Sequence, residues 1–339
     1  MSMSCPIDTG QSPCIQLAHG GGGRKMRELI ENSIYKHLAE ENAERHHDAA
    51  LVNGFDEMLL TTDSYVVNPL FFPGGDIGQL AVYGTVNDLC MAGAAPRYLT
   101  LSFIIEEGMP LLDFEKILLS IATAARECDV SIVTGDTKVV ERGNCDKLFI
   151  NTAGVGKKGE HSIHPRQIQS GDSIILNGDL GRHGVAIMAA RDQVECEVKS
   201  DMASLLPATA SLLRSCKTIK CMRDLTRGGL ASALNELAEY CQMGISIDQE
   251  KIPKHPEVES YCEILGLDSA YVACEGRFIT IVDCAEEKSA LSYLREHYPD
   301  AAIIGNVVDD MAGQVWSTLP WGGKRSLPMI SGELLPRIC

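Results

Sequence analysis

Strand-like and helix-like patterns alternate along nearly the whole chain, and this alternation is the feature that most constrains its fold. Short apolar runs predict buried strands, whereas apolar residues spaced by three and four predict amphipathic helices. In the first half these patterns predict strands at 58–67, 98–105, 131–134 and 148–155 and helices at 26–38, 78–95 and 112–125. Such alternation favours an α/β (α+β) fold.

The alternation begins again after a polar, proline-containing stretch at 161–170. Strands are predicted at 172–177, 244–248, 302–308 and 314–318, and helices from 185 and at 203–213, 230–241, 257–265 and 286–297. Two repeats of the pattern in 339 residues predict two domains. We therefore divide the chain into a glycine-rich loop with a helix (1–45), an N-terminal domain (46–160), a C-terminal domain (161–320) and a mobile tail (321–339).

The composition excludes some classes of partner. A formal charge of −16 argues against nucleic acid or an anionic membrane as the main partner, although a phosphorylated ligand that brings a cation is compatible with it. The first residues contain no basic, apolar signal region, and no apolar run is long enough to span a bilayer. The predicted location is therefore the cytoplasm.

The chain has thirteen cysteines, of which none forms a Cys-x-x-Cys pair. Most lie in apolar patterns, where a reduced cysteine packs as a small hydrophobic side chain. Cys339 differs because it ends a segment interrupted by prolines and glycines. Fully extended, the fifteen steps from Lys324 to Cys339 span roughly 50 Å, so the terminal thiol could reach a site on this or another protein. A frayed end that happens to finish in cysteine is the alternative.

A short apolar run from Ile15, predicted to be a strand, leads into four consecutive glycines at 20–23, and a helical pattern follows. A glycine-rich turn before a helix can bind phosphate through its backbone N–H groups. The stretch lacks the Gly-Lys-Ser/Thr ending of a P-loop. Taken alone, the stretch is therefore interpreted as a flexible loop without a ligand.

Three aspartates interrupt apolar segments: Asp63 in a strand, Asp88 in a helix, and Asp136 in a predicted turn, Gly135-Asp136. Such carboxylates suit Mg²⁺, which bridges protein carboxylates to substrate phosphates. Each could instead cap a helix or turn. Lys138 follows Asp136 by two positions, so on a strand both side chains would point to one face, beside a transferring phosphoryl group.

The stretch Arg223-Asp-Leu-Thr-Arg-Gly-Gly229 precedes a predicted helix and is a second candidate element for phosphate or metal. Its glycines allow close approach of the backbone, and a helix N-terminus favours anions. Glu275 lies between two apolar runs. It is either a general base with a shifted pKa or one partner of a buried ion pair.

Together these segments resemble a known family. The stretches that carry the resemblance are Thr61–Gly78, Gly84–Asp88, Val133–Val140, Asp224–Gly229 and the ending Pro336-Arg-Ile-Cys339. They are similar to the HypE family of hydrogenase maturation factors, which belongs to the superfamily of the purine-biosynthesis enzyme PurM. The resemblance implies a two-domain PurM-like fold and a homodimer. In it, the N-terminal domains would join their strands into a β-barrel, with ATP bound near that interface.

The resemblance also implies an activity. The terminal cysteine would receive a carbamoyl group from the carbamoyltransferase HypF. The chain would dehydrate that group to a thiocyanate with ATP, and the cyanide would pass to iron on the HypC–HypD complex toward the [NiFe]-hydrogenase centre. Carried over by motif, Cys339 would be the carrier, and Lys138 and Glu275 would serve the chemistry. The nucleotide would contact Asp63, Asp88, Gly135, Asp136, Thr137, Asp224, Thr226, Arg227, Gly228 and Gly229. Asp63, Asp88 and Asp136 would also hold Mg²⁺.

Two kinds of rival interpretation remain at this point: other members of the superfamily, namely selenophosphate synthetase, thiamine-phosphate kinase and the purine enzyme itself, and a protein that is not an enzyme. Selenophosphate synthetase, of the same superfamily, would need a reactive cysteine in the glycine-rich loop, and the nearest one, Cys14, lies well upstream of the glycines. The other rival is a carrier protein that binds nucleotide as a switch and presents Cys339 without catalysing a reaction.

Overall fold

The computed structural model describes residues 14–38, 49–319 and 321–329. The first segment forms a 3-10 turn at Leu17–His19, helix α1 at Arg24–Leu29, a π-helical turn at Ile30–Ile34 and helix α2 at Tyr35–Leu38. The strand predicted before the glycines was therefore wrong. Before the turn, Cys14 forms an isolated bridge with Pro110, Gln16 is extended, and the N–H of Ile15 donates to the carbonyl of Met109 at 2.8 Å.

The N-terminal domain is built on a four-stranded sheet with helices on one face. Its elements are β1 (Met58–Tyr65), β2 (Phe71–Phe72), β3 (Gly75–Asp76), α3 (Ile77–Met91), β4 (Ala94–Glu106), α4 (Leu111–Glu127), β5 (Ser131–Val140) and β6 (Leu148–Lys158). The strand order is β1-β6-β4-β5, with β4 and β5 parallel and the other pairs antiparallel. Strands β2 and β3 form a separate hairpin. In the described part of the chain this sheet is open, with β1 and β5 as its edges.

The two faces of this sheet are very different. Helix α3 is buried along nearly its whole length, because its apolar residues pack on the strands. Asp76 caps its N-terminus by accepting hydrogen bonds from the N–H groups of Gly78 and Gln79. No helix of the described residues covers the opposite face, and Leu60 on β1 is 69% exposed there. An uncovered apolar sheet face of this kind is typical of an interaction surface.

The turn predicted at Gly135-Asp136 was wrong, because β5 runs through it without a break. Gly135 is instead needed inside the strand, since a Cβ at this position would lie 2.0 Å from the carbonyl oxygen of Leu101 on β4. Here glycine marks close approach of two backbones and not a reversal of the chain.

The C-terminal domain contains a seven-stranded sheet. Its elements are β7 (Ser173–Leu176), α5 (Arg182–Asp192), α6 (Leu206–Ser215), β8 (Ile219–Asp224), α7 (Gly229–Cys241), β9 (Gly244–Asp248), α8 (Pro256–Leu265), β10 (Phe278–Val282), α9 (Glu287–His297), β11 (Ala302–Val308), β12 (Val315–Thr318) and β13 (Lys324–Ser326), with 3-10 turns at Pro165–Gln167, Gln249–Lys251 and Ser269–Tyr271. The order is β13-β12-β9-β11-β7-β10-β8, and every pair is antiparallel except β12 with β9. The mixed α/β, two-domain architecture agrees with the prediction.

The predicted tail does not begin as a separate segment at 321. Strand β13 pairs with β12 at the edge of the C-terminal sheet, and Leu327 is buried. The carbonyl of Leu327 accepts from Asn235 Nδ2 at 2.7 Å, and the carbonyl of Pro328 accepts from the Tyr271 hydroxyl at 3.0 Å. Residues 324–328 are thus anchored to the domain. The predicted limits at 45 and 160 stay predictions. No helix in the described ranges is long and apolar enough to cross a membrane.

Candidate active site

A small cleft between the two domains gathers most of the predicted site residues. It is lined by Asp63, Ser64, Tyr65, Gly84, Asp88, Asp224, Thr226, Arg227 and Glu275. Strand β1 and helix α3 supply one wall, and the end of β8 with the loop before β10 supplies the other. The sequence segments that form this cleft are up to about two hundred residues apart.

The N-terminal wall is organised by the alternation of side chains along β1. The Thr61 hydroxyl donates to Asp88 Oδ2 on α3 at 2.8 Å, and the Tyr65 hydroxyl lies 3.2 Å from the hydroxyl of Thr85 on the same helix. Asp63, between Thr61 and Tyr65 in this alternation, points to the same face. Gly84 on α3 makes room, because a Cβ there would lie 2.3 Å from the Tyr65 hydroxyl.

The C-terminal wall places Asp224 at the last residue of β8, directly before helix α7. Thr226 and Arg227 form the connection, and Gly228 adopts a left-handed conformation with φ of 78°. Gly229 packs closely, since a Cβ would lie 2.7 Å from the carbonyl oxygen of Ala270. The thirteen-residue helix α7 therefore directs its N-terminus, which favours anions, toward this end of the cleft.

Glu275 is the most deeply buried carboxyl of the cleft, with only 5% of the residue exposed. Its Oε1 atom is buried and has no hydrogen-bond partner among the described residues. Burial raises the pKa of Glu275 well above its ordinary value, and the nearby charges of Asp224 and Asp201 raise it further. No ion pair of Glu275 is present among the described residues, so the structure gives no support to the ion-pair interpretation.

The carboxyl groups of the cleft also repel one another. Burial, followed by the charge of Asp88, raises the pKa of Asp224 to about 7, although Arg223 opposes this shift. Burial raises the pKa of Asp88, and the hydrogen bond from Thr61 opposes the rise. Such a cluster gains most from a bound cation or from protons. Its hard oxygen ligands suit a divalent ion such as Mg²⁺.

These carboxylates do not form a complete ion site by themselves. In the described residues, no group of three or more His, Cys, Asp or Glu side chains is arranged to hold a metal. An ion in this cleft would therefore need oxygen atoms from a ligand as well, as Mg²⁺ bound with nucleotide phosphates commonly has. The cleft fits a metal–nucleotide complex better than a free ion.

Asp136 does not join Asp63 and Asp88 within one chain, so the predicted three-aspartate metal site is not assembled there. β5 and β1 are opposite edges of the sheet, about 14 Å apart at the usual strand spacing. The faces differ too, because Asp136 is exposed on the uncovered face while its neighbour Thr137 is buried. The order of the strands in the sheet and the alternation of side chains along β5 cause this separation.

Lys138 lies with Asp136 on that uncovered face, as their spacing predicted. Its Nζ atom is 3.0 Å from Asp136 Oδ2. This ion pair and the N–H of Thr137 lower the pKa of Asp136. Gly135, Asp136, Thr137 and Lys138 thus form one group apart from the cleft of the same chain, and Cys339 lies outside the described residues.

Comparison with known proteins identifies the family. The N-terminal and C-terminal domain models of AIR synthase related protein match residues 46–157 and 169–316. A carbamoyl dehydratase HypE from Rhizobium leguminosarum bv. viciae is 46% identical over 333 residues, which covers 96% of this chain and 95% of the relative. The chain belongs to the HypE family. The predicted resemblance, the PurM-like fold and the prediction of an enzyme are thereby confirmed.

Two solved HypE structures extend the comparison. One is a complex with ATP, with a TM-score of 0.92 and 42% identity over 96% of this chain and 99% of the other. The second is a HypE–HypF complex, with a TM-score of 0.79 and 42% identity over 89% of this chain and 99% of the other. ATP binding and a HypF partner are therefore properties of proteins that share this fold and more than two fifths of this sequence.

The sequence did not point to two residues that the structure places next to the cleft. Asn87 is buried on α3 and binds the 203–205 backbone: its Nδ2 donates to the carbonyl of Ala203 at 3.0 Å, and its Oδ1 accepts from the N–H of Leu205 at 2.8 Å. Asp201 contacts the loop that carries Glu275. A buried asparagine inside an otherwise apolar helix was a signal for Asn87, whereas nothing in the sequence around Asp201 marks it.

Proposed function

We propose that this chain uses ATP to dehydrate an S-carbamoyl group on its own Cys339 to an S-thiocyanate. The product would supply the cyanide ligand of the [NiFe]-hydrogenase iron. The observation that carries the proposal is the buried, unpartnered Oε1 of Glu275 in a cleft that suits a metal–nucleotide complex. Membership in a family of carbamoyl dehydratases supports the same chemistry.

The chemistry requires an activated oxygen and a base. The thiocarboxamide oxygen attacks the γ-phosphorus of ATP while its nitrogen loses one proton, which gives an S-linked phosphorylated imidate and ADP. A base then takes the remaining N–H proton, the C–O bond breaks, and phosphate leaves with the oxygen. The carbon keeps its bond to sulfur and becomes a nitrile. The overall change is loss of water, whose oxygen ends in phosphate.

We assign the proton-accepting role to Glu275. A buried carboxylate with a raised pKa is a stronger base than an exposed one, and its position away from water preserves that basicity. Asp63, Asp88 and Asp224 would hold Mg²⁺ with the nucleotide, and Mg²⁺ would neutralise the charge on the phosphates. The backbone at Thr226–Gly229 and the N-terminus of α7 would bind phosphate oxygens.

Lys138 of one copy of the chain would stabilise the phosphoryl group in the cleft of a second copy. It lies on the uncovered face at edge strand β5, apart from the cleft of its own chain. An open sheet with two free edges and an exposed apolar face is suited to closing with a copy of itself. We therefore propose the barrel-forming homodimer implied by the family, with Lys138, Asp136, Gly135 and Thr137 acting at the interface.

Leu60→Asp tests this dimer. The substitution places a charge on the uncovered face of β1, so we expect the protein to change from dimer to monomer and to lose most of its dehydratase activity. Ile264→Asp on α8, at a position 83% exposed, is the matched control and should stay dimeric. Light scattering after gel filtration measures the mass. A dimeric Leu60→Asp protein with full activity would refute the interface.

We also propose HypF as the carbamoyl donor and the HypC–HypD complex as the acceptor of the cyanide. The solved HypE–HypF complex of a relative supports the first of these partners. The predicted cytoplasmic location is compatible with both partners and stays a prediction.

Intact mass spectrometry tests the function directly. Incubation with the carbamoylating partner should add about 43 Da to the chain, and subsequent ATP with Mg²⁺ should remove about 18 Da. Tandem fragmentation should place both changes on Cys339. Appearance of the first step with no ATP-dependent second step would refute the dehydratase and favour a carrier that binds nucleotide only as a switch.

A further inference from the structure

We propose that Asp201 is a positioning residue that fixes the loop carrying Glu275. The inference rests on the proposed role of Glu275 as the base. Asp201 lies between α5 and α6, about seventy residues before Glu275 in the sequence, and belongs to neither a helix nor a strand.

The carboxylate of Asp201 binds two different segments, the loop that carries Glu275 and the first turn of helix α5. Its Oδ2 accepts from the N–H of Gly276 at 3.0 Å. Its Oδ1 accepts from the N–H of His183 at 3.1 Å and from the N–H of Glu275 at 3.4 Å. Hydrogen bonds from N–H groups to a charged acceptor are about twice as strong as neutral ones. A single side chain thus holds the backbone on both sides of the Glu275–Gly276 peptide.

Gly276 lets this contact form. A Cβ at Gly276 would lie 1.9 Å from the carbonyl oxygen of Asp201 and 3.3 Å from the N–H nitrogen of Ala203. The same backbone stretch is fixed from the N-terminal domain by Asn87, whose Nδ2 also lies 3.5 Å from the carbonyl oxygen of Glu275. Asn87 directly precedes Asp88 on α3. The backbone at 201–205, which binds both Asn87 and the Glu275 loop, therefore connects the proposed base to the side of the cleft that carries Asp88.

Several charged groups surround Glu275, and Asp201 is one of those that act on its pKa. Carboxyls face it from every neighbouring element: Asp63 on β1, Asp88 on α3, Asp224 on β8 and Asp201 on the α5–α6 loop. Among the described residues the cations nearby include Arg227, which lines the cleft, Arg277, which is bound to Asp179, and Arg223, whose charge acts on Asp224 and Asp88. The phenol of Tyr65 completes the surroundings.

Removing the charge of Asp201 should shift the pH profile in a known direction. A negative neighbour disfavours the ionised form of Glu275, so Asp201→Asn should lower the pKa of Glu275. The base must be ionised to accept a proton, so the acid limb of the dehydration rate should move to lower pH. Asparagine also has a single acceptor oxygen where aspartate uses two, so at least one of the three N–H groups loses its partner.

The test compares wild type, Asp201→Asn and Asp283→Asn from pH 5 to 9. Asp283 is the matched control, because it also accepts from a loop N–H, that of Ala285 at 2.9 Å, on another part of the C-terminal domain. For Asp201→Asn we expect the acid limb to move down by about half a pH unit or more. The plateau rate should fall about tenfold, with ATP affinity within about threefold of wild type. Asp283→Asn should match wild type in the position of the acid limb, in the plateau rate and in ATP affinity.

Hydrogen exchange of the 272–277 backbone gives a readout that does not depend on activity. In Asp201→Asn these amides should exchange at least about tenfold faster, while those of strand β10 keep their protection. An unchanged exchange rate of these amides, or an unchanged dehydration rate, would overturn the inference. If Glu275→Gln retained the wild-type rate, the proposed base would fail instead, and exchange would still decide whether Asp201 holds this loop.

Discussion

Glu275→Gln should lower the rate of ATP-dependent dehydration by about a hundredfold or more, with S-carbamoylation of Cys339 and ATP affinity unchanged. Glutamine has nearly the shape of glutamate but cannot take up the proton that must leave nitrogen. Intact mass spectrometry should therefore show the first mass step at the normal rate and almost none of the second.

The same substitution should raise stability, which separates a lost base from a damaged fold. The raised pKa of Glu275 means that ionising it in the folded protein costs stability. That cost is absent below its unfolded pKa, near 4.5, and grows as the pH rises toward its folded value. Glu275→Gln removes this cost, so its melting temperature should exceed that of wild type at pH 8.

Glu286→Gln is the matched control for this experiment. Glu286 accepts from the N–H groups of Lys217 and Thr218 and from the Thr218 hydroxyl, and these bonds lower its pKa. Its carboxylate therefore stabilises the fold at neutral pH, and Glu286→Gln should melt slightly lower while keeping full activity. A Glu275→Gln protein that melts lower than wild type, or dehydrates at the wild-type rate, would contradict the assignment.

Cys339→Ser should abolish both mass changes. A serine hydroxyl is a far weaker nucleophile than a cysteine thiolate at neutral pH, so no carbamoyl group should be attached and none dehydrated. ATP binding and the melting temperature should stay at wild-type values. The readout is the intact mass after incubation with the carbamoylating partner and ATP, followed by peptide mapping.

Cys284→Ser is the control, since Cys284 is a free, exposed cysteine in the described part of the chain. It should undergo both mass changes normally. Modification of the Cys339→Ser protein at any other cysteine would show that the carrier had been assigned to the wrong residue.

Sequence patterns predicted the elements well where burial repeats regularly. The apolar spacing of α4 and the uninterrupted apolar run of β10 depend on local burial alone, so the sequence shows them directly. The turn predicted at Gly135 was wrong. Glycine between strand-like runs is typical of a turn, whereas here it avoids a clash with the carbonyl of Leu101 on a neighbouring strand. That contact depends on strand pairing, which the sequence around Gly135 does not contain.

The sequence predicted which residues belong to the site better than it predicted how they are arranged. Asp63, Asp88 and Glu275 stood out as carboxylates in or between apolar segments, Asp224 stood out in a glycine-containing segment before a helix, and the structure brings all four to one cleft. Asp136 stood out for the same reason, yet strand order and side-chain alternation place it on the other face. Asp201 was missed because its contacts are with a loop and a helix that are distant from it in the sequence.

The anchoring of Leu327 and Pro328 has a kinetic consequence. Only eleven steps separate Pro328 from Cys339, so the thiol stays within about 40 Å of its anchor on the C-terminal domain. A group confined to a sphere of that radius has a local concentration of about 6 mM. An enzyme whose substrate is carried on Cys339, as proposed, would therefore need no measurable affinity for a free substrate. Its turnover should be unimolecular, with a half-time independent of protein dilution as long as the proposed dimer stays intact, and micromolar free thiocarboxamides should not compete.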